Sequence, residues 1–244
     1  MLAPSARAED FPDHPITLIA PYGPGATDAQ YRKLAELAGK RLGQPIIVQN
    51  KPGVNGTLGP ILMARTAKPD GYTISASTIS LLRQPYLQQV EWNPLKDFTW
   101  IAGLGGYTFV VAVRQDSPFA TLADMVSWAK EHPGLLTYGT PGTGSSLHLL
   151  MEELASRAGF KATHVPYKGG GDTTIAMLGD QVMVTLNNVG SVISHNKAKN
   201  ARILAIFDAQ RLPELPDVPI VKELGYDIVY SSPYGLVGPK DMPS

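Results

Sequence analysis

Short unbroken apolar runs alternate along this chain with stretches whose apolar positions recur every three or four residues. The runs at 16–20, 46–48 and 72–75 read as strands, and the stretches at 28–42 and 58–66 between them read as helices. Strand, helix, strand, helix, strand is the signature of an α/β fold built on a mainly parallel sheet. Residues 109–113 form a β-branched strand, and 122–131 carry Leu122, Met125, Val126 and Ala129 at helical spacing. A second series follows, with strands at 136–139, 161–165, 182–186 and 203–207 and helices at 147–158 and 173–178. Pro213, Pro216 and Pro219 punctuate a loop before a short helix at 220–224, and 234–237 begins one more strand.

A chain of 244 residues is long for one small domain, and two lobes sharing a crevice fit the two series. The passages between lobes are expected near 114–118 and 227–232. The first lobe then holds 11–115 and 232–244, and the second 116–231.

Composition narrows the function. The chain is 43% hydrophobic and 17% charged, and no apolar run reaches the eighteen or so residues of a membrane span. Lysine plus arginine equals aspartate plus glutamate at 21 each, which leaves no positive excess to hold a nucleic acid. Cysteine is absent, so thiol nucleophiles, disulfides and thiolate metal sites are excluded together. Ala6-Arg7-Ala8, before the polar Glu9-Asp10, has the small-x-small pattern of a signal-peptidase site. Residues 1–10 are therefore expected to be the remnant of an export signal or a disordered terminus, which points to the periplasm.

Chemistry concentrates in loops that follow a strand and open a helix. Tyr22, Gly23, Pro24, Gly25, Ala26, Thr27 and Asp28 join the first strand to the first helix, with Thr27 and Gln30 expected to form a capping box. Uncompensated N–H groups and a partial positive charge make such a helix start an anion site. The second loop carries Thr140, Gly142, Thr143, Gly144, Ser145 and Ser146, with His148 one step into the helix. The third carries Tyr167, Lys168 and Gly169, adding one cation, and Asn187 and Asn188 follow another strand with side-chain amides. Ser77 and Thr78, just beyond the strand at 72–75, complete the candidate set. Each loop alone is equally what an ordinary tight turn looks like. Together they gather outside the carboxyl ends of strands, where open α/β sheets bind ligands. Tyr22, Tyr107, Tyr167 and Tyr234 are candidates for the crevice wall.

Enzymatic alternatives lack their residues. There is no Gly-x-Ser-x-Gly elbow, and Ser145, Ser146 and His148 are better explained by capping and packing. His14, His132, His148, His164 and His195 are scattered, with no metal-ligand spacing between them. No metal or cofactor is expected.

Longer motifs carry a resemblance. They include Pro21-Tyr22-x-Pro24-Gly25-x-Thr27-Asp28, Asn50-Lys51-Pro52-Gly53, Pro69-Asp70-Gly71-Tyr72-Thr73 and Asn93-Pro94-Leu95-Lys96-Asp97-Phe98. Further on come Tyr138-Gly139-x-x-Gly142-x-Gly144-Ser145, His164-Val165-Pro166-Tyr167-Lys168-Gly169-Gly170 and Leu215-Pro216-Asp217-Val218-Pro219. In this order they resemble the periplasmic receptors of tripartite tricarboxylate transporters, the Bug or TctC proteins. The resemblance implies a two-lobed type II periplasmic-binding fold that holds a carboxylate between lobes through backbone amides and bridging waters. It implies delivery to membrane permease subunits. A monomer without catalysis is expected, and the ligand is a small carboxylate whose class stays open among dicarboxylate, amino acid and aromatic acid. Two departures stand out. The first loop is one residue shorter than the Phe-x-x-Gly-Gly-x-Thr-Asp form, with Ala26 where a glycine is expected. Relatives also continue past residue 244 into helices that pack on the first lobe, so a truncated form with a partly uncovered core is expected. The alternatives on the same scaffold are an effector-sensing regulator, for which no segment supplies a DNA-binding helix-turn-helix, and an enzyme.

Overall fold

A computed structural model of the chain describes residues 11–230 and 232–243, so the export-signal expectation for residues 1–10 lies outside the described residues. Two five-stranded sheets form, and they share one plan. The first runs β2(Ile46–Asn50), β1(Ile16–Ala20), β3(Thr73–Thr78), β10(Ser232–Pro239), β4(Phe98–Tyr107). The second runs β7(Ala162–Pro166), β6(Leu136–Thr140), β8(Val184–Asn188), β5(Phe109–Arg114), β9(Ala201–Phe207). In each, three strands are parallel and the strand that has come from the other sheet is inserted antiparallel beside them. The mainly parallel expectation is thus met in three strands of each sheet and corrected at β10 and β5.

Helices α1(Ala26–Leu42), α2(Leu58–Thr66) and α3(Ile79–Leu87) accompany the first sheet; α4(Leu122–Glu131), α5(Ser146–Ala158), α6(Gly170–Leu178) and α7(Val189–Lys197) accompany the second. The second sheet has the larger core. Val111, Val113, Leu136, Tyr138, Leu150, Met151, Leu154 and Phe207 pack on one face, and Val110, Ala112, Met177, Val192 and Ile206 on the other. Burial on both faces explains why β5 reads as an unbroken apolar run. Over the first sheet, Leu18, Tyr31 and Ala76 form one core and Ile19, Met63, Leu81 and Phe98 another. Its edge strand β4 leaves Trp100 and Ile101 exposed by 43% and 44%.

The first passage between sheets is not at 114–118. Tyr107 closes β4 in the first sheet and Phe109 opens β5 in the second, so the crossing is at Thr108. Thr108 is fixed there, its hydroxyl donating to Asp208 at 2.9 Å and its carbonyl accepting from Val189 N–H at 2.9 Å. Residues 114–118 make only a surface turn, closed by the Ser117 N–H to Arg114 carbonyl bond. Polar turn residues there imitate a linker, whereas nothing in the sequence breaks at Thr108. The return lies between Ile228, in the second-sheet core, and Ser232 at the start of β10.

Candidate functional site

Five helices begin at one cavity between the two sheets. Thr27 of α1, Ile79 and Ser80 of α3, Ser146 and Leu147 of α5, Gly170 and Gly171 of α6 and Ser191 of α7 all line it. Each helix start carries roughly half a positive charge on unsatisfied N–H groups. Two starts are capped by side chains: Ser145 accepts from His148 N–H at 3.2 Å and Asn188 from Ser191 N–H at 3.0 Å. Three are not, because Gly25 and Gly169 have no side chain to offer and the Thr78 hydroxyl makes no cap bond. Thr78 Oγ1 is buried at the cavity wall beside the Tyr22 phenol and has no partner at hydrogen-bond geometry. Donors without acceptors converge on a cavity of about 50 Å³, where one water needs ~10–15 Å³.

The rest of the wall is aromatic and apolar. Tyr22, Tyr107 and Phe109 line it with Pro141 and Leu147. Tyr107 is held from behind, stacked on Tyr234 at 4.4 Å between ring centres and bonded to the Tyr31 hydroxyl at 3.0 Å. Burial pushes the Tyr22, Tyr31 and Tyr107 phenols above their ordinary range, so they stay neutral donors. Among the described residues, no charged side chain lines this inner space.

Of the expected residues, Tyr22 to Thr27, Thr78, Ser145, Ser146 and Asn188 line the inner cavity. Gly142, Thr143, Gly144, Tyr167 and Lys168 line a wider outer basin of about 540 Å³, which Tyr22 and Pro141 join to it. Others line neither. Asp28 is buried with its carboxylate taken by Arg32 at 2.8 Å and Asn50 at 2.7 Å. Asn187 is consumed by the Gly170 carbonyl and Thr174 hydroxyl, and Thr140 by His164 at 2.7 Å. Ser77 lies on a separate groove beside Trp100, and Gly169 is the cap of α6. His148 supports the second loop, its Nδ1 accepting from Gly144 N–H at 3.1 Å. The Thr27–Gln30 capping box is also corrected: α1 starts at Ala26 with Gly25 as cap, which frees the Thr27 hydroxyl for Asn188.

Sequence patterning missed Ile79, Ser80, Phe109 and Ser232 in the inner wall, and read Gly170, Gly171 and Ser191 only as members of candidate loops. Ile79 and Ser80 belong to α3, hidden by the internal Pro85. Ser191 belongs to α7, whose Asn-Asn-Val-Gly-Ser start reads as a turn. The signal was present in both: Thr78 and Asn188 are cap-type residues directly before an apolar position.

Across the cavity the two halves touch. Asn188 Nδ2 donates to Thr27 Oγ1 at 3.1 Å, and the Asn55 amide donates to the Thr143 carbonyl. A Cβ on Gly171 would lie 2.9 Å from the Pro24 carbonyl oxygen, so α6 approaches the first loop as closely as glycine permits.

A "UPF0065 protein in gbd 5'region" of Cupriavidus necator is 42% identical over 236 residues, spanning 96% of this chain and 72% of that protein. The solved structure of Rhodopseudomonas palustris MatC with bound malate is 26% identical with a TM-score of 0.86, covering 96% of this chain and 80% of that one. Rpa4515 of R. palustris, solved with adipate, is 27% identical with a TM-score of 0.91, covering 96% and 79%. The family described as tripartite tricarboxylate transporter family receptor matches residues 30–244. This chain belongs to that receptor family.

Proposed function

We propose that this protein is a periplasmic solute-binding receptor that captures a small carboxylate between two lobes, 11–107 with 232–243 and 109–230. It hands the ligand to the permease subunits of a tripartite tricarboxylate-type transporter, acts as a monomer and catalyses nothing. One observation carries the reading: five helix N-termini, three without side-chain caps, converge on a cavity whose lining holds no competing anion. Relatives of the same fold hold malate and adipate, which supports the ligand class. Hydroxyls, amides and aromatic rings line the space, with no nucleophile and base paired at it, which supports binding without turnover.

The test is thermal. Adipate, malate and benzoate are compared with their amides; an acid that binds should add about 2.7 kcal/mol at a hundred times its dissociation constant, and its amide should not. Equal shifts from acids and amides would remove the carboxylate from the proposal.

A further inference from the structure

Among the described residues, the partly buried Arg83 on α3 pairs with no carboxylate. Arg32, Arg65, Arg114, Arg157 and Arg211 each pair with one. Among the described residues neither Arg202 nor the exposed Arg41 has one; Arg202 is satisfied by the carbonyls of Phe119 and Gln115. Arg83 instead points across the crevice. Nη1 donates to the Ser146 hydroxyl at 3.1 Å and to the Tyr230 hydroxyl at 2.8 Å; Nη2 donates to the Gly144 carbonyl at 2.9 Å and to the Ser80 hydroxyl at 3.4 Å. Nε is buried without a partner. Ser80 and Ser146 both line the inner cavity, one from each side, and Ser146 also touches Ser232 at 3.4 Å.

A guanidinium partly withdrawn from water and left without an anion is less favourable than one that an anion neutralises. The hydroxyls between it and the cavity accept from Arg83, and Ser146 accepts from Tyr230 as well at 3.3 Å, which leaves the Ser80 proton, and the Ser146 proton when Ser232 is the donor of their pair, to turn inward. A donor polarised in this way binds an anion more strongly than an isolated hydroxyl does.

We propose that Arg83 is the counter-charge of the bound carboxylate, acting one hydroxyl away through Ser80 and Ser146. The inference rests on the receptor reading above and adds to it the source of acid recognition. Because the same side chain bonds α3 to the second-sheet loop at Gly144, anion capture and lobe closure are one event. Arg83 is a positioning residue, since it reaches the ligand through the serines.

Its signature is selectivity. A full charge about 6 Å from a carboxylate, at an effective dielectric near 20, changes affinity about a hundredfold. A neutral amide feels little of this. Calorimetry with adipate, malate and benzoate against adipamide, malamide and benzamide is run on wild type, Arg83→Gln and Arg83→Lys. Arg83→Gln should lower the ratio of acid to amide affinity about a hundredfold, while Arg83→Lys keeps the acid preference. Equal losses for acid and amide would mean a purely structural arginine and overturn the inference while leaving the receptor reading intact. If Arg83→Gln shows no cooperative melting, the Ser80→Ala/Ser146→Ala double variant carries the test. It keeps the cation and cuts the relay, so the acid-to-amide ratio should fall at least about tenfold, and an unchanged ratio overturns the proposal. A wild type that ignores all three acids would remove the receptor reading, and this inference with it.

Discussion

Thr27 and Asn188, from the first and second sheets, meet across the crevice: the Asn188 side-chain amide donates to the Thr27 hydroxyl at 3.1 Å. The Asn188 carbonyl end meanwhile caps α7, accepting from Ser191 N–H and Ser191 Oγ at 3.0 Å each. One side chain therefore starts a helix with its oxygen and ties the lobes together with its nitrogen. Thr27→Val removes the tie and leaves the cap. A hydrogen bond of this kind contributes about 1 kcal/mol, so affinity for whichever of adipate, malate or benzoate binds should fall about fivefold. The loss should appear in the dissociation rate, read by stopped-flow fluorescence. An unchanged rate would show that the bond does not hold the closed form.

Gly171→Ala should separate stability from binding. Position 171 is the second residue of α6, where alanine favours a helix by up to about 1 kcal/mol over glycine. The same Cβ would lie 2.9 Å from the Pro24 carbonyl oxygen of the facing lobe, a distance real Cβ atoms do not tolerate. The unliganded protein should melt no lower than wild type while carboxylate affinity falls. Small-angle scattering should show a larger radius of gyration at saturating acid than wild type has. Wild-type affinity in the variant would mean that Pro24 and Gly171 do not approach in the bound state.

How legible the site was in sequence follows from what builds it. The first and second loops were readable because glycine, proline and hydroxyl residues between a strand and a helix are a local pattern. The helices at 58–66 and 122–131 were equally local, and the structure forms them as Leu58–Thr66 and Leu122–Glu131. The crossing at Thr108 was not legible, because strand β4 feeds β5 with no turn residue between Tyr107 and Phe109. Lys168 stood out as the cation of a glycine-rich loop, yet it faces the outer basin, while Arg83 sits behind the inner wall. Which cation serves a cavity depends on how two distant lobes dock, and no local pattern encodes that.

Acid should weaken the second lobe through a histidine pair beneath the second loop. His148 and His164 stack with ring centres 4.1 Å apart, His148 Nδ1 accepts from Gly144 N–H, and His164 Nε2 meets Thr140 Oγ1. Burial lowers both, and the neighbouring His148 helps bring His164 to about 4; Glu152, 3.9 Å from His148 and bonded by the Tyr138 hydroxyl, opposes this weakly. As pH falls below the unfolded histidine value of about 6.5, the unfolded chain takes up protons that the folded pair refuses. Stability present above pH ~6.5 is therefore lost progressively towards pH ~4. The His164 shift alone corresponds to about 3 kcal/mol, reduced to about 1–2 by its partial exposure. Melting temperatures between pH 7.5 and 4.5 should fall more steeply in wild type than in His164→Asn. Parallel curves would dismiss the pair as a source of acid sensitivity.

Ser146→Asp places a carboxylate where the bound acid is expected to act. Ser145 is the cap of α5, so position 146 is the first residue inside the helix, where a negative charge suits the dipole. The hydroxyl it replaces accepts from Arg83 Nη1 at 3.1 Å and faces the cavity. An aspartate there supplies the anion that Arg83 lacks, so the unliganded protein should gain stability. A partly buried pair adding about 1 kcal/mol should raise the melting temperature by roughly 2–4 °C for a chain of this size. Binding should move the other way. A ligand carboxylate about 4 Å from Asp at 146 meets repulsion of about 4 kcal/mol at an effective dielectric near 20, roughly a thousandfold in affinity. Combining Ser146→Asp with Arg83→Gln should cancel the gain in stability while leaving binding absent, since the charge remains and its partner is gone. Calorimetry and thermal melts on the two single variants and the double variant read both effects. Near-normal acid affinity in Ser146→Asp would place the carboxylate away from α5.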